Sequence, residues 1–198
     1  MVNPWDRPPL SRLGDLTEGL TYEGVGRVTS QWETYEGELS HLYAIFSNRY
    51  FKPEAYDEYF AVGRTARARV QALEDESERF FIKHPDQKSE GDFRSIIAAA
   101  AGYAERRHEI AHGIVRPIHF YNAVLRKPFD PQLPFAFCLS PSHHHRNWFD
   151  SEGNPKYLYT SVEMNHIAIK MYEQLVDLIR LKHALNALNS YMQPRHRP

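Results

Sequence analysis

Apolar residues recur at steps of three and four along most of this chain, which is the pattern of helices that bury one face. The first run begins near Tyr22 and continues through Val25, Val28, Trp32, Tyr35, Leu39, Leu42 and Phe46. Glu36 lies within this apolar seam. The spacing therefore predicts a long first helix whose buried face includes one carboxylate.

The second run extends from Pro53 to about Lys83. Proline suits the first position of a helix, where its missing N–H has no partner to lose, so we place a helix start at Pro53. Gly63 interrupts the run and is expected to divide it into two helices.

A third helix is predicted from about Asp92, with Arg107 in its apolar stripe. We expect this helix to end at Gly113 in the left-handed conformation that glycine adopts without strain, and Pro117 opposes its continuation. At about 100° per residue, Arg107 and His112 project roughly 140° apart.

Residues 115–160 have a different character, with six prolines and short aromatic runs. They predict a small β-rich or irregular insertion, with SEGN at 151–154 as a turn. Ser161 is expected to be the N-cap of a long final helix.

These elements predict an all-α fold, an antiparallel bundle of four or five helices with the insertion before the last helix. Residues 1–20 are predicted to be an N-terminal arm, residues 21–190 a single helical domain that contains the insertion 115–160, and residues 191–198 a C-terminal tail.

Composition narrows the functional classes. The chain has 198 residues, a formal net charge of -1 and a pI of about 6.8, so no overall positive field attracts nucleic acid from a distance. The single Cys138 cannot form an intramolecular disulfide, which suits a reducing compartment. The longest apolar run is far short of the roughly 20 residues that span a bilayer. We expect a cytoplasmic protein with no membrane partner.

Residues 108–112 read HEIAH, the short pattern of zinc peptidases. In that interpretation His108 and His112 bind zinc and Glu109 is the general base. Candidates for a third ligand are Glu163, His166, His143, His144 and His145. None of them has a diagnostic spacing. Two arginines directly precede His108, where zinc peptidases of this type carry uncharged residues.

The same residues also fit another motif. Within ERRHEIAHG at 105–113, Arg107 is followed directly by His108 and five positions later by His112. This arrangement resembles the signature of the HEPN superfamily of small all-α domains. A second stretch, GRVTSQWETYEGEL at 26–39, is similar to the first helix of bacterial HEPN-like proteins, with Trp32 followed four residues later by Glu36.

The resemblance implies metal-independent RNA cleavage, with no cofactor and no metal. His112 would exchange protons with the ribose 2′-hydroxyl and the leaving oxygen, Arg107 would neutralise phosphate charge, and His108 would orient the phosphate or share the proton transfer. The resemblance further implies a homodimer in which two motifs form one cleft, an RNA substrate, and a role in phage defence or beside an antitoxin or another protein partner.

A non-catalytic reading of the same residues is a HEPN-like binding or scaffold module. In it, Arg107 turns inward and pairs with Glu36, because an unpaired charge in the apolar seam would be costly to bury. Gly113 then serves only to end the helix, and His112 stabilises the helix end. The sequence leaves the ribonuclease, the binding module and the zinc peptidase open.

Overall fold

The computed structural model describes residues 3–49, 53–121, 136–144 and 146–192. Within these ranges the chain is predominantly helical, as predicted. The helices are α1 (Glu18–Phe46), α2 (Pro53–Val62), α3 (Ala66–Lys83), α4 (Gln87–Ala111) and α5 (Ser161–Met192). The strands β1 (Gly113–Pro117) and β2 (Phe137–Pro141) form a two-stranded antiparallel sheet, and two short 3-10 helices cover Ile118–Tyr121 and Arg146–Trp148.

The break between α2 and α3 lies at Gly63, as predicted. Thr65 caps α3, because its side chain accepts a hydrogen bond from the backbone N–H of Ala68 at 3.2 Å. A Cβ at Gly63 would lie 2.3 Å from the Cβ of Ala68, so only glycine fits this close return of the chain. Pro53 begins α2, also as predicted.

The predicted role of Gly113 is wrong in its detail. Helix α4 ends at Ala111, close to the expected place, but Gly113 does not have the positive φ of a left-handed cap. It is instead the first residue of β1, paired with Pro141 of β2. Its missing side chain makes room for Leu139, whose Cγ would lie 2.6 Å from a Cβ at Gly113.

The predicted insertion contains short strands and turns in its described part. A bridge joins Leu139 of β2 to Tyr159, so the segment before α5 extends the strand pairing. Gly153 has a φ of 83° in the predicted SEGN turn, and Asp150 accepts its backbone N–H. Residues 122–135, His145 and the tail residues 193–198 lie outside the described part of the chain.

The start of α5 differs by one residue from the prediction. Thr160 is the cap: its hydroxyl accepts the N–H of Val162, and the carboxylate of Glu163 accepts the N–H of Thr160 at 2.7 Å. Glu163 thus has its place in a capping box, although the Thr160 hydroxyl caps the second helical residue and not the third. Ser161, the predicted cap, donates its hydroxyl to Asp15 instead.

The chain forms two compact units. Unit 1 comprises Met1–Trp32 and Glu105–Lys170, and unit 2 comprises Glu33–Ala104 and Met171–Pro198. The predicted boundaries of arm, domain and tail stay predictions.

Unit 2 has an aromatic core. The ring of Phe46 contacts the rings of Phe80, Phe81 and Phe93, with centroids 5.2, 5.6 and 5.0 Å away. Because α1, α3 and α4 each contribute to this cluster, the apolar stripes read from the sequence meet here.

Unit 1 is connected through Asp15. Its carboxylate accepts the hydroxyl of Thr21 at 2.7 Å, and the N–H and hydroxyl of Ser161 at 2.8 and 2.6 Å. The backbone of Asp15 also pairs with Phe137 of β2. One buried carboxylate thus connects the N-terminal segment, α1 and the N-terminus of α5, where the helix dipole favours a negative charge.

Candidate functional site

The end of α4 in unit 1 presents two exposed histidines. The ring centroids of His108 and His112 lie 4.6 Å apart. The N–H of His112 donates to the carbonyl oxygen of His108 at 3.2 Å, so the helical turn is maintained up to His112 and keeps both rings on one face. The indole of Trp148 contacts the ring of His108, with centroids 5.3 Å apart. The structure therefore brings the two predicted histidines together at the surface.

Glu109, between these histidines in sequence, is buried instead and is only 2% exposed. Its carboxylate accepts hydrogen bonds from Nε of Arg7 at 2.9 Å and from the hydroxyl of Tyr159 at 2.6 Å. A guanidinium nitrogen of Arg106 lies 3.2 Å from the same carboxylate. The hydrogen bond to Glu109 raises the pKa of Arg7. We call Glu109, Arg7, Arg106 and Tyr159 the Glu109 hub.

An aromatic series connects the exposed histidines to the hub. Trp148 contacts Tyr157, whose ring stacks on that of Tyr159 with centroids 4.8 Å apart. The hydroxyl of Tyr157 donates to the carbonyl oxygen of Glu109 at 3.0 Å. Burial raises the pKa of both tyrosines, and the nearby charge of Glu109 raises it further, so both hydroxyls remain hydrogen-bond donors at neutral pH. Trp148 at the surface thus packs against tyrosines that are buried and hydrogen-bonded to Glu109.

The geometry disfavours the zinc-peptidase interpretation. Glu109 would have to face a metal-bound water, but its carboxylate is buried among two arginines and a tyrosine. Glu163, a candidate third ligand, is part of the capping box of α5. In the described part of the chain, no three His, Cys, Asp or Glu side chains meet in a group suited to a metal ion.

Arg107 and Glu36 lie in different units. Arg107 is half-buried on α4, whereas its neighbour Arg106 is only 5% exposed. Glu36 is 4% exposed and accepts Nε of Arg69 at 2.7 Å. The carboxylate in the apolar seam of α1 therefore has an arginine from α3, which the sequence interpretation did not foresee. The Arg107–Glu36 pair stays a prediction.

Sequence reasoning missed the hub. Arg106 and Arg7 had no assigned role, Tyr159 was considered only as a base-stacking or cluster aromatic of the insertion, and Glu109 had a role only as a zinc-site base. A signal was present, because Arg106 lies three residues before Glu109 and four before the apolar Ile110, on the side of the helix that is buried. The partners of Glu109 were beyond reach, since Arg7 is 102 residues away and Tyr159 is 50.

No family model, curated protein or solved structure matches this chain. Among the helices that the structure describes, none combines the length and the apolar character needed to cross a membrane.

Proposed function

We propose that this protein is a metal-independent endoribonuclease of HEPN type, with Arg107, His108 and His112 as its catalytic residues. The observation that carries the proposal is the contact of two exposed imidazoles, His108 and His112, at the end of α4. Histidine is the side chain best suited to both accept and donate a proton near neutral pH. Two adjacent, solvent-accessible imidazoles supply the base and the acid that cleavage of an RNA phosphodiester requires.

In the proposed reaction, one imidazole takes the proton of the ribose 2′-hydroxyl while this oxygen attacks the adjacent phosphorus. The bond between phosphorus and the 5′-oxygen breaks, and the other imidazole gives a proton to that oxygen. The products are a 2′,3′-cyclic phosphate and a 5′-hydroxyl. Arg107 neutralises the charge that builds on the non-bridging oxygens.

Trp148 supports the proposal as a stacking surface. Its ring contacts the rings of His108 and of the buried Tyr157. Aromatic side chains stack on nucleobases without regard to sequence, and each such stack contributes about 1–3 kcal/mol to binding. With a net charge of -1, the protein has no general attraction for RNA, so local contacts of this kind would provide the binding.

The test is cleavage of a mixed RNA pool in the presence of excess chelator. We expect the wild-type protein to cut and to leave cyclic phosphate ends, and we expect His112→Ala to lose cutting by at least about 100-fold, the usual contribution of general acid–base catalysis. His144→Ala is the matched control, because His144 is also an exposed histidine but lies outside the motif. Circular dichroism checks that each variant is folded.

A second candidate is a non-catalytic HEPN-like binding or scaffold module. The observation in its favour is the Glu109 hub, because the end of the motif helix is committed to holding unit 1 together. Wild-type protein that leaves RNA intact in the assay would overturn the ribonuclease proposal and favour the module.

The proposed homodimer and the proposed role in defence have separate tests. Light scattering after gel filtration measures the mass in solution, and a dimer would have twice the 23.2 kDa of the chain. Growth arrest on expression of the wild type, absent with His112→Ala, would support a toxin or defence role. A partner that relieves the arrest would be the antitoxin.

A further inference from the structure

The paired histidines of α4 have the helical spacing of a two-nitrogen chelate. They are four residues apart on one helical face and both are exposed, so an ion can reach them from solvent. Helical histidines at this spacing are a common source of two metal ligands from one element. Since Glu109 is buried in its hub, the remaining coordination positions would be filled by water.

The ligands indicate the kind of ion. Two imidazole nitrogens, with water oxygens at the remaining positions, form a set of nitrogen and oxygen ligands that suits divalent transition ions. For a given set of this kind the affinity rises along the series from Mn²⁺ to Cu²⁺ and falls again at Zn²⁺. The site should therefore bind Cu²⁺ more tightly than Ni²⁺ or Zn²⁺.

We propose that His108 and His112 form a two-nitrogen site for a divalent transition ion, with Cu²⁺ bound more tightly than Ni²⁺ or Zn²⁺. The order follows from the general affinity series of these ions for nitrogen ligands. An ion at this site occupies nitrogens that the proposed ribonuclease needs for proton transfer, so binding inhibits cleavage. This inhibition rests on the proposed function, whereas binding does not.

The first experiment measures binding of Cu²⁺ alone to the full chain, by calorimetry and by electron paramagnetic resonance. We expect one tight site with a spectrum of two equatorial nitrogens. His108→Gln and His112→Gln should each weaken binding by about 100-fold or more, since the second imidazole binds as an intramolecular ligand at high effective concentration. Glutamine keeps a polar side chain at these exposed positions, and circular dichroism confirms folding.

The matched control is the double variant His143→Ala/His144→Ala, which removes two other exposed histidines. Its Cu²⁺ affinity should equal that of the wild type. Equal loss in this control, or unchanged affinity in His112→Gln, would overturn the site. Tighter binding of Zn²⁺ than of Cu²⁺ would overturn the proposed order of ions.

The second experiment adds one equivalent of Cu²⁺ to the RNA cleavage assay, without chelator. We expect cleavage to stop and to return when chelator is added. Full cleavage by the copper-bound protein would overturn the inhibition. If the metal-free protein does not cut RNA, the proposed function fails, and the binding experiment alone decides the copper site.

Discussion

The hydroxyl of Tyr159 donates a hydrogen bond of 2.6 Å to the carboxylate of Glu109, the second residue of the HEIAH sequence. The residue that a peptidase of this pattern would use to activate water is thus committed to a buried contact with the segment before α5. Arg7 and Arg106 complete its surroundings. The motif helix therefore has two faces with separate tasks, a buried carboxylate that organises unit 1 and an exposed histidine pair.

Loss of the Glu109 carboxylate should strongly destabilise the protein. In Glu109→Ala, Arg106 would lose its buried partner and keep only the exposed Glu105, and removing one member of a buried ion pair costs about 3–5 kcal/mol. We expect this decrease in the free energy of unfolding by urea denaturation. Glu105→Ala is the matched control, because the side chain of Glu105 also pairs with Arg106 but is 75% exposed. Exposed pairs contribute about 0–1 kcal/mol.

Glu109→Gln distinguishes a structural role of Glu109 from a role in RNA cleavage. Glutamine retains the size of the side chain and one oxygen acceptor, so the variant should fold at lower stability. RNA cleavage below its unfolding temperature should be retained, because Glu109 is buried whereas the histidine pair is exposed. Complete loss of cleavage by the folded variant would contradict the purely structural role of Glu109.

Two glycines of unit 1 should respond to alanine with opposite signs. Gly113→Ala places a Cβ 2.6 Å from Leu139, which is itself 1% exposed and has little room to move. We expect destabilisation of about 1–3 kcal/mol, as is usual for overpacked cores. Gly26, in the interior of α1, has open space at its Cβ position, so Gly26→Ala should stabilise by about 0.5–1 kcal/mol. Thermal unfolding measures both, and changes of the same sign would contradict the packing at Gly113.

Cys138 should resist thiol reagents in the folded protein. Burial, with smaller effects of Asp15 and Glu163, raises the pKa of its thiol to about 12. The thiolate is the reactive form, and at pH 8 its fraction is on the order of one in ten thousand. Iodoacetamide at pH 8 should therefore leave the native chain unmodified and alkylate one site in denaturant, as measured by mass spectrometry. Rapid labelling of the native chain would show that the β2 region opens readily.

Stability should fall in alkaline solution. Burial raises the pKa of Tyr35, Tyr59, Tyr103, Tyr157 and Tyr159 above the ordinary tyrosine value of 10.0. Below pH 10 the tyrosines are neutral in both the folded and the unfolded state. Above it the unfolded chain ionises while the folded chain stays neutral, so the free energy of unfolding decreases by up to about 1.4 kcal/mol per pH unit for each tyrosine. Urea denaturation at pH 8, 10 and 11 measures this slope, which should be smaller in Tyr35→Phe. A constant stability from pH 8 to 11 would contradict the burial of these hydroxyls.

Much of the helical framework was predictable because its signals are local. The start at Pro53, the break at Gly63 and the end of α4 near Gly113 depend on backbone preferences of single residues. Where the prediction was wrong, a distant contact decided the outcome. Position 113 requires glycine because Leu139 packs against it and leaves no room for a side chain. Ser161 is not the cap because its hydroxyl donates a hydrogen bond to Asp15.

The candidate site was predictable only in part for the same reason. Spacing alone places His108 and His112 on one helical face. It does not decide whether Arg106 or Arg107 is buried, because both lie within a helical turn of the buried Tyr103 and Ile110. That choice depends on Glu109, Arg7 and Tyr159, whose contacts join segments far apart in sequence.

The carboxylate of Asp15 has a consequence for the order of events during synthesis. Asp15 is made well before its partner Ser161, which follows 146 residues later. At about 5–20 residues per second, the ribosome takes roughly 7–30 seconds to produce that partner. Throughout this interval Asp15 lacks Ser161, and Arg7 likewise lacks Glu109 until residue 109 has emerged. The segment around Arg7 and Asp15 therefore acquires its native contacts only after Glu109 and then Ser161 have been made.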